Sequence, residues 1–432
     1  MPYRPTAVLT LLIALALPLL WAVDAGAIPA FTRQHKTECS TCHTLYPELN
    51  EYGQAFLKNG YVYSEKQKGG KGAEKAASPA GAGADAEKMD KNEGIRLSGI
   101  PELLPLSLTA NQSIVYNEHA PDGDQWNFST RSLVLQAGGA FRDLAGFYLT
   151  YNLFTHDSNN VTGTTQGDSN KLDELFMVWR HLLGSPVNVK FGKFEPRLSI
   201  WKKSDKIIAT SFATNAFKAG SNPFSLETTQ DALEANAVLA NRIFFAGGVV
   251  DVKGQNTKDC YGHLSVKFGG ADFLGNEPEM DLESESIWDY LIVTLAAYGY
   301  SGRNADPLIT SIKDNFYRAG GEMDLLYKRA RLRVAAVTGR DTNPDYLLPS
   351  AGTKPLVIAT EAEYLFGSPV NWAGIFRYEY QDSGAGIVRR YIPAVAFTPL
   401  QNVKLVLQYN HQVNPKPQDD DKIALLDVSY SF

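Results

Sequence analysis

The chain predicts an all-β fold: an antiparallel transmembrane β-barrel of about 16 strands, preceded by a short helical segment. Three observations carry that reading. From about Leu106 onward the sequence breaks into roughly sixteen runs of about ten residues that alternate apolar and polar positions. The connections between these runs alternate between tight turns and longer polar loops. Past the first 27 residues, nothing approaches the ~18 uninterrupted apolar residues of a spanning helix; "YLIVTLAAYGY" (Tyr290 to Tyr300) is the longest candidate. The composition agrees, since 21 Tyr, 21 Phe and 36 Gly in 432 residues suit strands, turns and aromatic girdles.

Residues 1–27 read as an export leader. Arg4 gives a short positive region, Ala7 to Val23 an apolar core, and Ala25-Gly26-Ala27 a small-x-small cleavage site. The competing reading is an uncleaved anchor helix, which an apolar core of about 17 residues with a cut site disfavours. The mature chain is expected to begin near Ile28, outside the cytoplasm. Its net charge of −6 and lack of a basic stripe argue against nucleic acid as a partner.

Residues 28–63 hold two of the three cysteines, in Cys39-Ser40-Thr41-Cys42-His43. This is C-x-x-C-H, the attachment pattern of one covalent haem c. Two thiols three positions apart can take the two vinyl groups of one porphyrin edge, and the next histidine, His43, becomes the proximal iron ligand. A redox C-x-x-C would want a βαβ setting, which the flanks lack. A zinc knuckle needs two further ligands, and His35 is the only extra candidate nearby. A Cys39–Cys42 disulfide would leave His43 unexplained. Cys260, far downstream, reads as an ordinary thiol. For the sixth iron position the candidates are His35, Met89, a group from inside the barrel, or an open site. Leu49, Tyr52, Phe56 and Leu57 recur at helical spacing, with Pro47 suiting the first turn and Gly60 the end. So short a segment cannot wall a haem and keep its own core, so it needs walls from elsewhere. Residues 64–105 follow as a flexible linker, Ala/Gly/Lys-rich from Ser64 to Gly94.

Residues 106–432 make the barrel, with strands expected at 106–117, 126–138, 144–156, 172–183, 187–195, 231–241, 243–252, 260–269, 288–300, 316–328, 330–339, 356–366, 370–381, 388–398, 402–413 and 422–432. In "VNWAGIFRYEYQ" Val370, Trp372, Phe376, Tyr378 and Tyr380 share one face, against Asn371, Arg377, Glu379 and Gln381. In "LAGFYLTYNLF" Ala145, Phe147, Leu149, Tyr151 and Leu153 oppose Thr150 and Asn152, and in "KIALLDVSYSF" Ala424, Leu426, Val428, Tyr430 and Phe432 oppose Asp427, Ser429 and Ser431. Long loops are expected at 156–171, 196–230, 301–315, 340–355 and 414–421 on one rim. One long acidic connection, Gly270 to Asp289, falls on the short-turn rim instead, as a solvated loop or a cation or partner site. Short turns facing the periplasm would bring the first strand's start, and the haem segment with it, to that compartment. Lys190, Arg331, Arg333, Arg377 and Glu379 face the lumen and are candidates to seat that segment; His263 is a lumen-side candidate iron ligand, and Asp419-Asp420-Asp421 a candidate Fe(II)-collecting tip.

The stretch Ile28 to Tyr61 resembles the outer-membrane cytochrome–porin fusions of the Cyc2 type, a family of proposed iron(II) oxidases. The resemblance rests on Pro29-x-Phe31, Cys39-x-x-Cys42-His43, Pro47, Leu49-Asn50, Gly53 and Phe56, followed by a barrel of about sixteen strands. It implies an outer-membrane protein in contact with membrane lipid. It further implies single-electron transfer from extracellular Fe(II) or another donor to a periplasmic cytochrome. Such a chain would act as an iron(II):cytochrome c oxidoreductase without acid–base residues. The barrel would receive the haem segment as a plug, its iron near the outer rim. An outward electron-export conduit, or a porin with a haem-bearing plug or sensor, would use the same parts.

Overall fold

In the computed structural model the described residues are 31, 35, 37–62, 106–120, 125–141, 143–157, 166–252, 257–278, 286–305, 311–368, 370–384, 386–416 and 420–431. The leader, the linker, Met89 and Phe432 lie outside them. The helix α1 (Glu51–Lys58) precedes the strands. The strands are β1 (Leu106–Asn117), β2 (Trp126–Phe141), β3 (Ala145–Asp157), β4 (Gln166–Trp179), β5 (Val187–Phe194), β6 (Ala216–Ala219), β7 (Asn222–Ser225), β8 (Gln230–Leu239) and β9 (Ile243–Val252). They continue as β10 (Thr257–Phe268), β11 (Leu291–Ala305), β12 (Lys313–Tyr327), β13 (Ala330–Asp341), β14 (Leu356–Phe366), β15 (Trp372–Asp382), β16 (Ile387–Leu400), β17 (Val403–Val413) and β18 (Asp421–Ser431).

Sixteen of these close into one antiparallel barrel in which each strand pairs with its neighbour in sequence. Among the described strands, the pair β6 and β7 stands apart, as a separate hairpin. Closure comes from β1 against β18, in register from Thr109↔Ser431 to Asn117↔Ile423, so the ladder has no free edge. Strand boundaries shift by a few residues from the expected ones. The run over 172–183, for example, ends at Trp179, where the chain reverses through left-handed His181 and Leu183.

Alternation puts charge inside and apolar bulk outside. Along β15, Ala373, Ile375, Arg377 and Glu379 are buried while Trp372 and Phe376 are exposed. Along β18 the inward set is Leu425, Asp427, Ser429 and Ser431. The outward face carries Phe128, Phe191, Leu264, Leu295, Val395 and Leu407 exposed, as a lipid-facing band requires. Aromatic rings gather at the ends of strands: Trp372 stacks on Phe397 at 4.2 Å and on Phe366 at 6.0 Å at the short-turn rim.

The connection between β5 and β8 departs from its reading as a polar rim loop. Residues 195–229 fold into the lumen, burying Trp201, Ile207, Ile208, Phe212 and, on the β6–β7 hairpin, Phe217 and Phe224. Backbone carried into a barrel needs partners there. The lumen charges supply them: Glu322 accepts from the Ile200 amide at 2.6 Å, Glu379 from the Ala213 amide at 2.8 Å, and Arg377 donates to the Thr210 carbonyl at 2.9 Å. Arg377 also lies 3.7 Å over the Phe212 ring. This inward loop forms a ceiling above the short-turn mouth.

Candidate functional site

The segment carrying the two cysteines is built by local hydrogen bonds. Cys39 to Thr41 make one tight 3₁₀ turn, and the Cys42 and His43 amides both donate to the Cys39 carbonyl, at 3.1 and 2.9 Å. The chain then doubles back, with His43 bridged to Leu49. Asn50 caps α1, its side chain accepting from the Gly53 amide at 3.0 Å. Pro47 therefore lies ahead of the helix and not in its first turn, because Asn50 supplies the cap. Gly53 is where α1 meets the cysteine turn: a Cβ there would stand 2.2 Å from the Cys42 carbonyl oxygen. Gly60 ends the helical stretch with φ +70°.

This segment sits as a plug in the short-turn mouth. Gln401, in the β16–β17 turn, accepts from the Cys39 amide at 3.1 Å. The Tyr46 hydroxyl meets Ser431 at 2.5 Å, and Lys267 pairs with Glu51 at 2.6 Å. Glu48 reaches Arg331 and, at 3.1 Å, Arg333. Of the three arginines expected to seat the segment, Arg331 and Arg333 touch it, whereas Arg377 holds the inward loop. Barrel glycines make room: a Cβ on Gly146 would lie 1.8 Å from the Gly60 carbonyl oxygen, and one on Gly138 2.4 Å from Phe31. The acidic connection after β10 also closes on the plug, with Glu277 accepting from the Tyr52 hydroxyl and Phe273 lying 4.9 Å from Lys58.

Above the plug is the inward loop, which stops it from rising toward the long-loop rim. Asp205 accepts from the Leu49 amide at 2.7 Å and the Gln54 amide group at 2.5 Å. Leu45 packs into one apolar cluster with Ile207 and Ile208. The expectation of an iron site near the outer rim is thereby corrected, because the ceiling of residues 195–229 holds the cysteine turn at the opposite mouth.

Between plug, ceiling and wall lies a cavity of about 620 Å³, lined by Cys39, Cys42 and His43 together. One side is aromatic: Tyr61 stacks on Tyr148 at 5.2 Å and on Phe31 at 5.7 Å, with Phe56 edge-on to Phe31. The other side is the wall of β1, β2, β17 and β18, presenting Ser107, Thr109, Asn111 and Ser429 with Arg131 and Lys404. The size falls within the roughly 300–1,000 Å³ of cofactor sites.

The donor set suits a haem iron. The His43 Nδ1 stands 2.9 Å from the Pro47 carbonyl oxygen, which can only accept. That fixes the proton on Nδ1 and leaves the Nε2 lone pair for a metal. Burial pushes His43 down to about 4, so the ring is neutral at physiological pH. Cys39 and Cys42 are not joined as a disulfide. Burial and then the neighbouring Cys42 push the Cys39 thiol up, keeping it protonated.

The remaining candidates are placed as follows. His35 packs edge-on to Phe56 at 5.8 Å and is not among the residues lining the cavity. His263 faces the lumen, but its Nδ1 lies 2.6 Å from the Leu198 carbonyl oxygen, where it fastens the inward loop. Lys190 lies over the rings of Phe176 and Phe194 at 4.1 and 3.9 Å. Cys260 is exposed on the outer face, and Asp420 accepts from the Asn414 amide at 2.8 Å; Asp419 lies outside the described residues. Among the described residues no group of three or more His, Cys, Asp or Glu side chains forms a metal site. Sequence reasoning missed Glu48, Tyr148, Asp205 and Lys404. Only Asp205 carried a signal, in the apolar run that follows it.

No protein-family model matches the chain, and no curated protein matches it. Among solved structures it is similar to an anion-selective porin from Comamonas acidovorans, at 11% identity and TM-score 0.54, over 76% of this chain and 98% of that one. It is also similar to Salmonella typhi OmpF in complex with daunomycin (10%, TM-score 0.51, 76% and 97%) and to Pseudomonas putida OprB at high pH (10%, TM-score 0.50, 76% and 94%). At these identities the likeness establishes the fold. The chain is a porin-type barrel with an N-terminal plug in its short-turn mouth.

Proposed function

We propose that this chain is an outer-membrane cytochrome–porin fusion that passes single electrons across the outer membrane, from extracellular Fe(II) or a similar donor to a periplasmic cytochrome. One observation carries the reading: both thiols and the neutral imidazole of the C-x-x-C-H motif line a single cavity closed by the barrel wall. The exposed apolar band supports insertion in a bilayer, and the short turns suit the periplasmic side.

Cys39 and Cys42 would hold a c-type haem by two thioethers, with His43 Nε2 as its proximal ligand. Held there, the group supplies a one-electron iron couple. The chain's own residues do the rest. Phe31, Phe56, Tyr61 and Tyr148 keep water from one face of the cavity. Glu48, held between Arg331 and Arg333, fixes the plug against the wall. Outer-sphere transfer moves no proton and breaks no bond, so this function requires no acid–base pair.

The test uses intact cells that express the protein together with haem-maturation machinery. Adding Fe(II) outside should produce prompt reduction of the haem absorbance band in the outer membrane. A band that stays oxidised with Fe(II) yet responds to a membrane-permeant reductant would overturn inward transfer, leaving a porin with a haem-bearing plug.

A further inference from the structure

We infer that the deep end of the cavity, built around Lys404 and Arg131, receives the carboxylate arms of the tetrapyrrole. The inference rests on the haem reading above and extends it to a second set of binding residues. Haem carries two carboxylates on the edge opposite its vinyl groups. With the vinyl edge committed to Cys39 and Cys42, the carboxylates face the other end of the cavity. Buried carboxylates require counter-charge or hydrogen-bond donors.

Five cations line the cavity: Arg131, Lys202, Lys203, Lys206 and Lys404. Four already have carboxylate partners, in Asp427 at 3.0 Å, Glu174 at 3.1 Å, Asp173 at 2.5 Å and Glu227 at 3.5 Å respectively. Lys404 has none within ion-pair distance among the described residues. It is only 6% exposed, and its Nζ donates to the Ile207 carbonyl at 2.7 Å. A buried ammonium with no carboxylate in ion-pair contact is costly, and an anion reaching it lowers that cost.

Register gives the direction. Gln401, at the rim turn, holds the Cys39 amide, and Tyr46 meets Ser431. Lys404 pairs with Ser429, and Asp427, the partner of Arg131, is one inward position further along. Ser431 to Asp427 spans roughly 14 Å of strand. The cysteine turn therefore marks the rim end of the cavity; Lys404, opposite Ser429, stands one inward position (roughly 7 Å) in from Ser431, and Arg131, on Asp427, lies further toward the lumen. The wall between them is hydroxylic, through Thr109 and Ser429, and hydroxyls can donate to carboxylate oxygens.

The test compares the full-length holoprotein with Lys404→Gln and Lys404→Arg. Gel mobility that changes on heating confirms folding, and haem staining confirms attachment. Lys404→Gln is expected to keep both, to move the propionate-bending band in resonance Raman, and to lower the midpoint potential. The fall follows because losing a neighbouring cation favours the more positive oxidised iron. It should shift the reduced-to-oxidised ratio at fixed poise threefold or more, and Lys404→Arg should restore both readouts. If Lys404→Gln fails to reach the membrane, Arg131→Gln gives the same two readouts. Haem staining with an unmoved Raman band and potential overturns this inference and leaves the haem reading standing. A parent protein without a haem-stained band overturns both.

Discussion

Glu48 carries one carboxylate from the plug into the barrel wall, where Arg331 and Arg333 wait, the latter 5.7 Å from the Trp201 ring. All three are at least largely buried, but Arg331 keeps Asp324 at 2.6 Å and Arg333 keeps Glu361 at 3.0 Å, so neutralising the acid removes one of two counter-charges from each cation. Glu48→Gln is expected to loosen plug docking by about 1–3 kcal/mol, the loss of charged hydrogen bonds. Limited proteolysis would read it as faster cleavage within 37–62 while the barrel fragment survives. Unchanged cleavage would show that other contacts hold the plug. The cysteines give a second expectation at this scale. Cys42→Ser should abolish the two-thioether form and weaken or remove haem staining, with the heat-dependent gel mobility of the barrel intact. A normal double-thioether product in that variant would exclude Cys42 as an attachment point. Cys39, Cys42 and His43 were legible because C-x-x-C-H is contiguous. Glu48 was not, because its partners lie on β13, some 280 residues away, and an isolated glutamate before a helix looks like ordinary surface.

At the scale of elements, the plug and barrel fit by omission of side chains. Gly146 on β3 leaves its inward position to the Gly60 carbonyl, and Gly138 on β2 leaves its own to Phe31. Gly146→Val adds carbon atoms where a single Cβ already stands within 2 Å of an oxygen. Overpacking of this kind costs about 1–3 kcal/mol, and the plug is the part free to move. In protein expressed without haem maturation, the variant should let a maleimide label Cys39 several-fold faster than the parent, whose thiol is 6% exposed. Equal labelling would mean the plug tolerates the clash. The strands themselves were readable, since period-two alternation and turn chemistry are local signals. The inward loop was not read, although "KIIATSFATNAF" is more apolar than an exposed rim loop needs. Its conformation is set by Glu322, Arg377 and Glu379, which belong to other strands and have no sequence proximity to it.

The whole molecule stacks two obstructions in one barrel, and their placement predicts how it conducts. The inward loop is fastened by hydrogen bonds and ion pairs to β4, β8, β10, β12 and β13, and to β15 and β17. Toward the short-turn mouth the inner faces of β1 and β2 are met by the plug and the cavity, while Ala209 of the inward loop packs against the cluster that holds Val115 of β1. Arg318, Arg333 and Arg377 point into the lumen yet are at most 1% exposed, which a water-filled waist would not allow. The barrel closes through β1 and β18 without any plug residue in the ladder, so a chain lacking residues 28–105 keeps every strand pairing. In planar bilayers the full chain is expected to conduct weakly. The deletion should raise single-channel conductance several-fold, because removing the plug joins the cavity to the short-turn mouth. Restoring the segment in trans should lower it again. Equal conductance for both chains would mean that the inward loop alone sets the constriction, and that the plug serves to hold its cysteines rather than to close the pore.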